Sequence, residues 1–168
     1  MKLKMINEFS CSPELLWEIF EDPEFDRRLE EETGVRREVL EAREEDGGVL
    51  YKKLRCISLK ELPAMMKKAL GTEHLEFEQE NHLDLQKSEL RWVVNTPFLS
   101  DRVDAGGTTR VEATENGSRR VVTGEIVIRL PVVGKKMEQR LGGNIEESYQ
   151  KAAAIAAKMV EERQAQQA

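Results

Sequence analysis

Val121-Val122-Thr123-Gly124-Glu125-Ile126-Val127-Ile128-Arg129-Leu130-Pro131 is the stretch whose reading decides the fold of this chain. Val122, Ile126, Ile128 and Leu130 share the period-two phase of Gly124, with Thr123, Glu125 and Arg129 opposite, so the run reads as a half-buried strand that its proline ends. Beyond it Met137, Leu141, Ile145, Tyr149, Ala152, Ala156 and Met159 with Val160 recur in steps of three and four. That spacing predicts one amphipathic helix from Lys135 to about Glu162. At about 1.5 Å per residue its ~28 residues would span about 42 Å, longer than an ordinary globular helix. A stripe of that length, last in the chain, needs a large sheet to lie on.

The preceding residues supply such a sheet. Leu3, Met5 and Phe9 alternate with Lys2, Lys4 and Glu8 in a first strand, with Asn7 the one polar residue in the apolar phase. Ser12 as N-cap and Pro13 at the first helical position start a helix carrying Leu15, Leu16, Ile19 and Phe20. Asp22-Pro23 breaks it, and a second short helix runs to about Glu32 before Gly34. The period then returns to two. Val35 to Arg43 and Val49 to Ser58 form a hairpin across Asp46-Gly47-Gly48. An amphipathic segment, Glu61 to Leu70, is expected as a short inserted helix closed by Gly71. Strand-like runs around Leu75 to Leu83 and Leu90 to Val94 make a second hairpin. Thr108 to Thr114 and Ser118 to Leu130 make a third around Glu115-Asn116-Gly117.

Strands joined by tight turns are antiparallel, so about seven strands with two short N-terminal helices, one inserted helix and one long terminal helix define an α+β fold. One domain over residues 1–163 is expected, with residues 164–168 as a polar, frayed tail. Gly106-Gly107 is expected to mark a bulge or bend in the sheet, and Gly142-Gly143 a bend or close approach of the last helix.

Composition narrows the function classes. A formal charge of −6 argues against phosphate-backbone binding, which needs clustered Lys and Arg, so nucleic acid is excluded as a partner. The carboxylates crowded between Glu18 and Asp46 read as a solvated face. No apolar run approaches a membrane span and no signal-peptide h-region follows Met1, which points to a cytoplasmic protein. Cys11 and Cys56 form neither a metal spacing nor a redox pair. No nucleophile elbow, zinc motif or phosphate-cradling loop occurs, and His74 and His82 read as surface residues, so no catalytic residue, metal or cofactor is assigned.

Three features resemble the START-like, Bet v 1-like helix-grip superfamily (SRPBCC). They are the opening strand into Ser-Cys-Ser-Pro-Glu-Leu-Leu-Trp-Glu-Ile-Phe (Ser10 to Phe20), the run of antiparallel strands, and the closing strand with its long helix. Val127 to Glu138 and Glu61 to Gly71 resemble one bacterial branch of uncharacterised function. The resemblance implies an apolar ligand held between a curved sheet and the last helix. Superfamily members bind sterols, phospholipids, hormones or polyketides, and some are cyclases, aromatases or chaperone activators.

The candidate cavity residues are those whose phase points them inward. From the sheet these are Asn7, Leu75, Phe77, Gln79, Asn81, Leu90, Trp92, Val94 and Ile126. From the helix they are Met137, Leu141, Ile145 and Tyr149. The inward amides need partners, since an unsatisfied buried one costs about 1–3 kcal/mol. Those partners are either a ligand's polar end, ordered water or one another. Trp92 and Tyr149 fit equally a pocket lining or core packing. Leu62, Met65 and Met66 form a possible lid, and Lys67 and Lys68 beside them suit transient contact with an anionic membrane, without stable insertion. Arg55 and Arg129 are expected outward. The leading expectation is a noncatalytic binding or carrier protein for a hydrophobic small molecule or lipid. The alternatives are a polyketide cyclase/aromatase-like enzyme, or a protein-interaction module with a filled core.

Overall fold

The architecture follows from the order in which apolar alternation gives way to apolar stripes. A computed structural model of the protein describes residues 1–97, 99 and 101–168. Among these, the strands are β1 (Lys2–Phe9), β2 (Val35–Glu45), β3 (Val49–Glu61), β4 (His74–Asp84), β5 (Glu89–Asn95), β6 (Val103–Thr114) and β7 (Gly117–Ile128). The helices are α1 (Pro13–Phe20), α2 (Pro23–Thr33), α3 (Ala64–Leu70) and α4 (Gly134–Gln167). The strands form one antiparallel sheet in the order β1-β7-β6-β5-β4-β3-β2, an α+β helix-grip arrangement in which first and last strands are neighbours.

Local chemistry sets the boundaries. The Ser12 hydroxyl accepts from the Leu15 amide at 3.2 Å and caps α1, while an Asp22 carboxylate oxygen accepts from the Glu24 amide at 2.9 Å and caps α2. Gly34 ends α2 in the left-handed region at φ 69°, a conformation that costs glycine nothing sterically. The Thr114 to Gly117 pair closes the β6–β7 hairpin. The inserted helix begins at Ala64, not Glu61, because β3 continues to Glu61 and Pro63 takes the cap position.

Helix α4 covers one side of the sheet unevenly. Its backbone lies against α2, α1, β7 and β1, and the inner faces of β3, β4 and β5 are not among its main backbone neighbours. Close approach to β1 occurs at Gly142, where a side chain would collide with the Met1 thioether and meet Leu3. The helix also runs on to Gln167, so the expected frayed tail is helical. Arg163 donates to Asp22 at 2.8 Å, and Gln164 Nε2 donates to the Ser10 carbonyl at 2.9 Å. These polar anchors fasten the last turns after the apolar stripe has ended at Val160.

Among the described residues, two apolar clusters hold the fold. One joins Phe9, Leu16, Trp17, Ile19, Phe25, Leu29 and Leu83 to Ala152, Ala156, Met159 and Val160 of α4. The other joins Leu3, Met66, Trp92, Val103, Val122, Ile126 and Ile128 to Met137. All the stripe residues expected on α4 are buried or half-buried. The register of β6 passes through Gly106-Gly107 without a shift, which removes the expected bulge. Backbone and ring together require glycine there: a Cβ at Gly107 would collide with the Thr123 carbonyl oxygen and stand 2.7 Å from Cζ2 of the Trp92 indole.

Candidate functional site

Pairing register fixes which side chains share the concave face. Leu3, Met5, Asn7 and Phe9 of β1 stand opposite Gly124, Val122, Arg120 and Ser118 of β7. Val122 pairs with Thr109, Thr109 with Leu90, and Leu90 with Leu83. Trp92 and Val94 stand opposite Asn81 and Gln79, and Phe77 opposite Cys56. Asn7, Leu75, Phe77, Gln79, Asn81, Leu90, Trp92, Val94 and Ile126 therefore all occupy the face expected of them.

Their packing separates them. Trp92, Ile126 and Met137 are buried in one cluster, and Val94, Leu141, Ile145 and Tyr149 lie against it half-buried. Leu90 packs on the other cluster. Leu75 and Phe77 are half-buried and belong to neither. In the possible lid, Met66 is a core residue, Leu62 is half-buried and Met65 is 50% exposed. The segment is thus anchored by one methionine and presents the other. His82 lies on the convex face near Glu45, and the outward Arg55 and Arg129 meet carboxylates there.

The inward amides have partners. Gln79 Nε2 donates to Asn81 Oδ1 at 2.8 Å, which pairs one nitrogen of the first amide with the oxygen of the second. Asn7 Oδ1 accepts from Arg120 Nη2 at 2.7 Å. The same nitrogen donates to the Tyr149 carbonyl of α4 at 3.1 Å. Arg120 is not among the residues expected inward, although its even-numbered phase with Val122 and Ile126 places it there.

Arg120 is 3% exposed, and its guanidinium carbon lies 5.3 Å from the Phe20 ring centroid and 5.0 Å from that of Tyr149. Burial pulls its pKa down to about 10, which leaves it protonated at neutral pH. Phe9 and Phe20 belong to one apolar cluster and Tyr149 packs on the other, so the charge sits at the boundary between them. Among the described residues its Nε has no hydrogen-bond partner, and the same holds for Thr109 Oγ1 of β6 and Trp92 Nε1 of β5.

Two recesses open beside this face. One of about 330 Å³ is lined by Leu50, Leu83, Leu90, Ala42 and Tyr51, with Asn81, Lys52, Arg43 and Glu21 among them. The other, about 190 Å³, lies between α4 and the β2–β4 side; Val35, Leu62 and Leu75 are its apolar lining, and Lys60, Glu61, Arg140, Glu147 and Lys151 ring it with charge. Ligand pockets commonly measure about 300–1,000 Å³, so the first is at the lower edge of that range and the second below it. Burial elsewhere on this side acts on titrating groups: Asp26 of α2, facing Arg37, has its carboxyl pushed up by desolvation, as does the Cys56 thiol.

Residues 4–160 match a family described as a protein of unknown function (DUF2505). The chain belongs to this family. No curated protein matches it in sequence. Its backbone is similar to TTHA0849 from Thermus thermophilus, with TM-score 0.68, 16% identity, and coverage of 95% of this chain and 99% of that one. It is similar also to the Zhui aromatase/cyclase from Streptomyces sp. R1128, with TM-score 0.67, 14% identity, and coverage of 97% and 94%. Ara h 8.0201 superposes with TM-score 0.64 at 8% identity, covering 94% of this chain and 98% of that one. At such identities the likeness is one of fold alone, the helix-grip fold. No helix among the described residues is long and apolar enough to cross a membrane.

Proposed function

We propose that the protein binds a compact hydrophobic small molecule or a lipid chain between the concave face of the sheet and α4, without chemically altering it. The observation that carries this reading is the state of Leu75 and Phe77. Both face inward, both remain half-buried, and neither joins a packed cluster. Covering them would release apolar surface from water at about 25 cal/mol per Å². The uneven seating of α4 over β1 and β7 supports the same reading, because it leaves this half of the face for a guest. The buried thiols Cys11 and Cys56 fit a reducing, cytoplasmic setting.

Titration with the neutral fluorophore N-phenyl-1-naphthylamine, together with native mass spectrometry and organic extraction of the purified protein, tests the proposal. Saturable binding at one site, weakened in Phe77→Asp, is the expected result. A protein that takes up no probe and releases no apolar compound overturns it.

A second reading, cyclase-like catalysis, draws on one observation: an inward ionisable group with a displaced pKa, Arg120. A guanidinium still protonated at neutral pH can stabilise developing negative charge but cannot accept a proton. Proton abstraction needs a base beside it, and neither histidine serves, with His82 on the convex face and His74 opposite Glu61 at the sheet's end. Binding is therefore the function favoured.

A further inference from the structure

Strand β2 closes one end of the sheet, so one side of its backbone has no neighbouring strand among the described residues. Val39 to Glu44 are all exposed along it, Val39 at 57% and Leu40 at 41%. A long edge of this kind is a template for another strand, and proteins ordinarily defend it with charges and bulges. Both occur here, in a pattern that favours pairing. The edge reads Arg36-Arg37-Glu38-Val39-Leu40-Glu41-Ala42-Arg43-Glu44-Glu45. Laid antiparallel on itself it meets its own opposite charges: Arg36 faces Glu45, Arg37 faces Glu44 and Glu38 faces Arg43. In a regular strand the members of each pair would point to opposite faces, being an odd number of residues apart. The bulge between Val39 and Glu41 corrects the phase. Arg37 and Glu44 stand opposite Cys56 and Leu50 on the concave face. Arg36, Glu38, Arg43 and Glu45 stand opposite Ile57, Arg55, Tyr51 and Val49 on the convex one.

We infer that two copies of this chain associate through this edge, pairing β2 with β2 antiparallel about a two-fold axis normal to the sheet. Opposite residues of an antiparallel ladder share a face, and in this register every charged pair does so. Val39 and Ala42, both concave, meet as well. Neighbouring registers fail. A shift of one residue sets concave positions against convex ones, and a shift of two sets Arg36 against Arg43 or Glu38 against Glu45. Charge on an edge repels a second copy only where like charges meet, and here the register that the faces allow brings unlike charges together. The groups are available for it. Arg36 and Glu44 form no ion pair among the described residues, and Arg37 and Glu38 reach Asp26 and Arg55 only at 4.0 Å and 3.8 Å. Arg43 contacts Glu41 and Glu45 of its own strand, exposed pairs of about 0–1 kcal/mol that are easily exchanged. Ala42 also lines the recess of about 330 Å³, so the pairing sets Val39 of the second copy at its rim.

Sedimentation equilibrium of the full chain tests this, at about 0.1 M salt, where a screening length of about 10 Å damps net repulsion but spares contacting charges. Wild type is expected to form a reversible dimer at protein concentrations up to about 0.5 mM. Glu44→Arg sets positive charge against Arg37 of the second copy and is expected to weaken the dimer by about 10-fold or more, because symmetry repeats the reversed contact. Arg37→Glu has the same effect with negative charge. Mixing the two variants restores opposite charge at both contacts, so a heterodimer of wild-type strength forms. A wild type that stays monomeric throughout the range overturns the inference. So does a dimer that Glu44→Arg leaves intact, which would place the contact elsewhere on the molecule. Glu44 is exposed and without an ion pair, so its substitution spares the fold, and that comparison decides even if Arg37→Glu does not fold.

Discussion

The indole of Trp92 lies across Gly124, where a Cβ would stand 2.7 Å from Trp92 Cζ2 and 2.8 Å from the Gly106 carbonyl oxygen. Gly107 and Gly124, on neighbouring strands, thus both leave room for this ring on the concave face.

Replacing Gly124 by alanine forces both the ring and a backbone carbonyl to move. Overpacking of this kind costs about 1–3 kcal/mol. Gly124→Ala is therefore expected to lower the midpoint of urea unfolding with an unchanged m-value, and to alter the tryptophan emission. Shortening the ring in Gly124→Ala/Trp92→Leu removes one clash and leaves the carbonyl, so recovery in that double variant is incomplete.

Val132 provides the opposite sign. It is 97% exposed, adopts φ 68°, and sits at the centre of a tight turn in which the Val133 amide donates to the Pro131 carbonyl at 2.8 Å. A β-branched residue in the left-handed region carries about 1–2 kcal/mol of strain. Asparagine tolerates that region, and no buried surface is lost in the exchange. Val132→Asn is expected to stabilise the fold by about 1 kcal/mol, raising the thermal midpoint by about 2–4 °C for a chain of this size. An unchanged or lower midpoint in calorimetry contradicts this account.

The ease with which the fold could be read, and the difficulty with the site, have a common physical origin. Alternation in β1, β4, β5 and β7 and the stripe on α4 are set by burial of one face, which sequence records directly. Arg120 obeys that alternation too, but arginine is so seldom fully buried that its residue type argued against its position. Only the pairing with Asn7 and Tyr149 makes the placement intelligible, and those partners are 113 and 29 residues away along the chain. Other long-range polar contacts leave no trace in local periodicity either. The last turns of α4 are held by Asp22 and Ser10, beyond the reach of any local periodicity. In α3, adjacent Met65 and Met66 gave no local sign of which one is buried; the structure buries Met66.

Acid should loosen the contact between α2 and α4. Glu24 accepts hydrogen bonds from Arg27 and Arg28, which hold its carboxyl at about 2 instead of the ordinary 4.5. Arg28 also donates to Glu162 of α4 at 2.9 Å. A depressed carboxyl stabilises the folded form fully above its ordinary value and loses that effect as pH falls through its folded value. The window is therefore pH 4.5 to about 2. A carbon-detected titration of Glu24 is expected to show the low value, and Arg27→Gln to move it upward. A Glu24 midpoint near the ordinary value in wild type would mean that solvent competes these exposed bonds away.

The convex face carries the alkaline counterpart. Tyr51 donates from Oη to Glu80 Oε1 at 2.6 Å, with the Arg43 guanidinium carbon 3.9 Å from its ring centroid and the His82 ring at 5.0 Å. The hydrogen bond to Glu80, reinforced by burial and the carboxylate's charge, pushes the phenol up to about 12 from 10. A group whose folded pKa is raised stabilises the fold fully below its unfolded value and loses that contribution as pH rises through the folded one, here from 10 to about 12. Ultraviolet titration should show Tyr51 ionising late, and Tyr51→Phe should remove this part of the alkaline dependence. The same substitution takes from Glu80 the donor that most lowers its pKa, so its carboxyl rises toward the ordinary range. It does not return fully, because Asn95 Nδ2 still donates to the other oxygen at 3.0 Å. A Glu80 carboxyl that does not move in Tyr51→Phe would show that the phenol is not what holds it down.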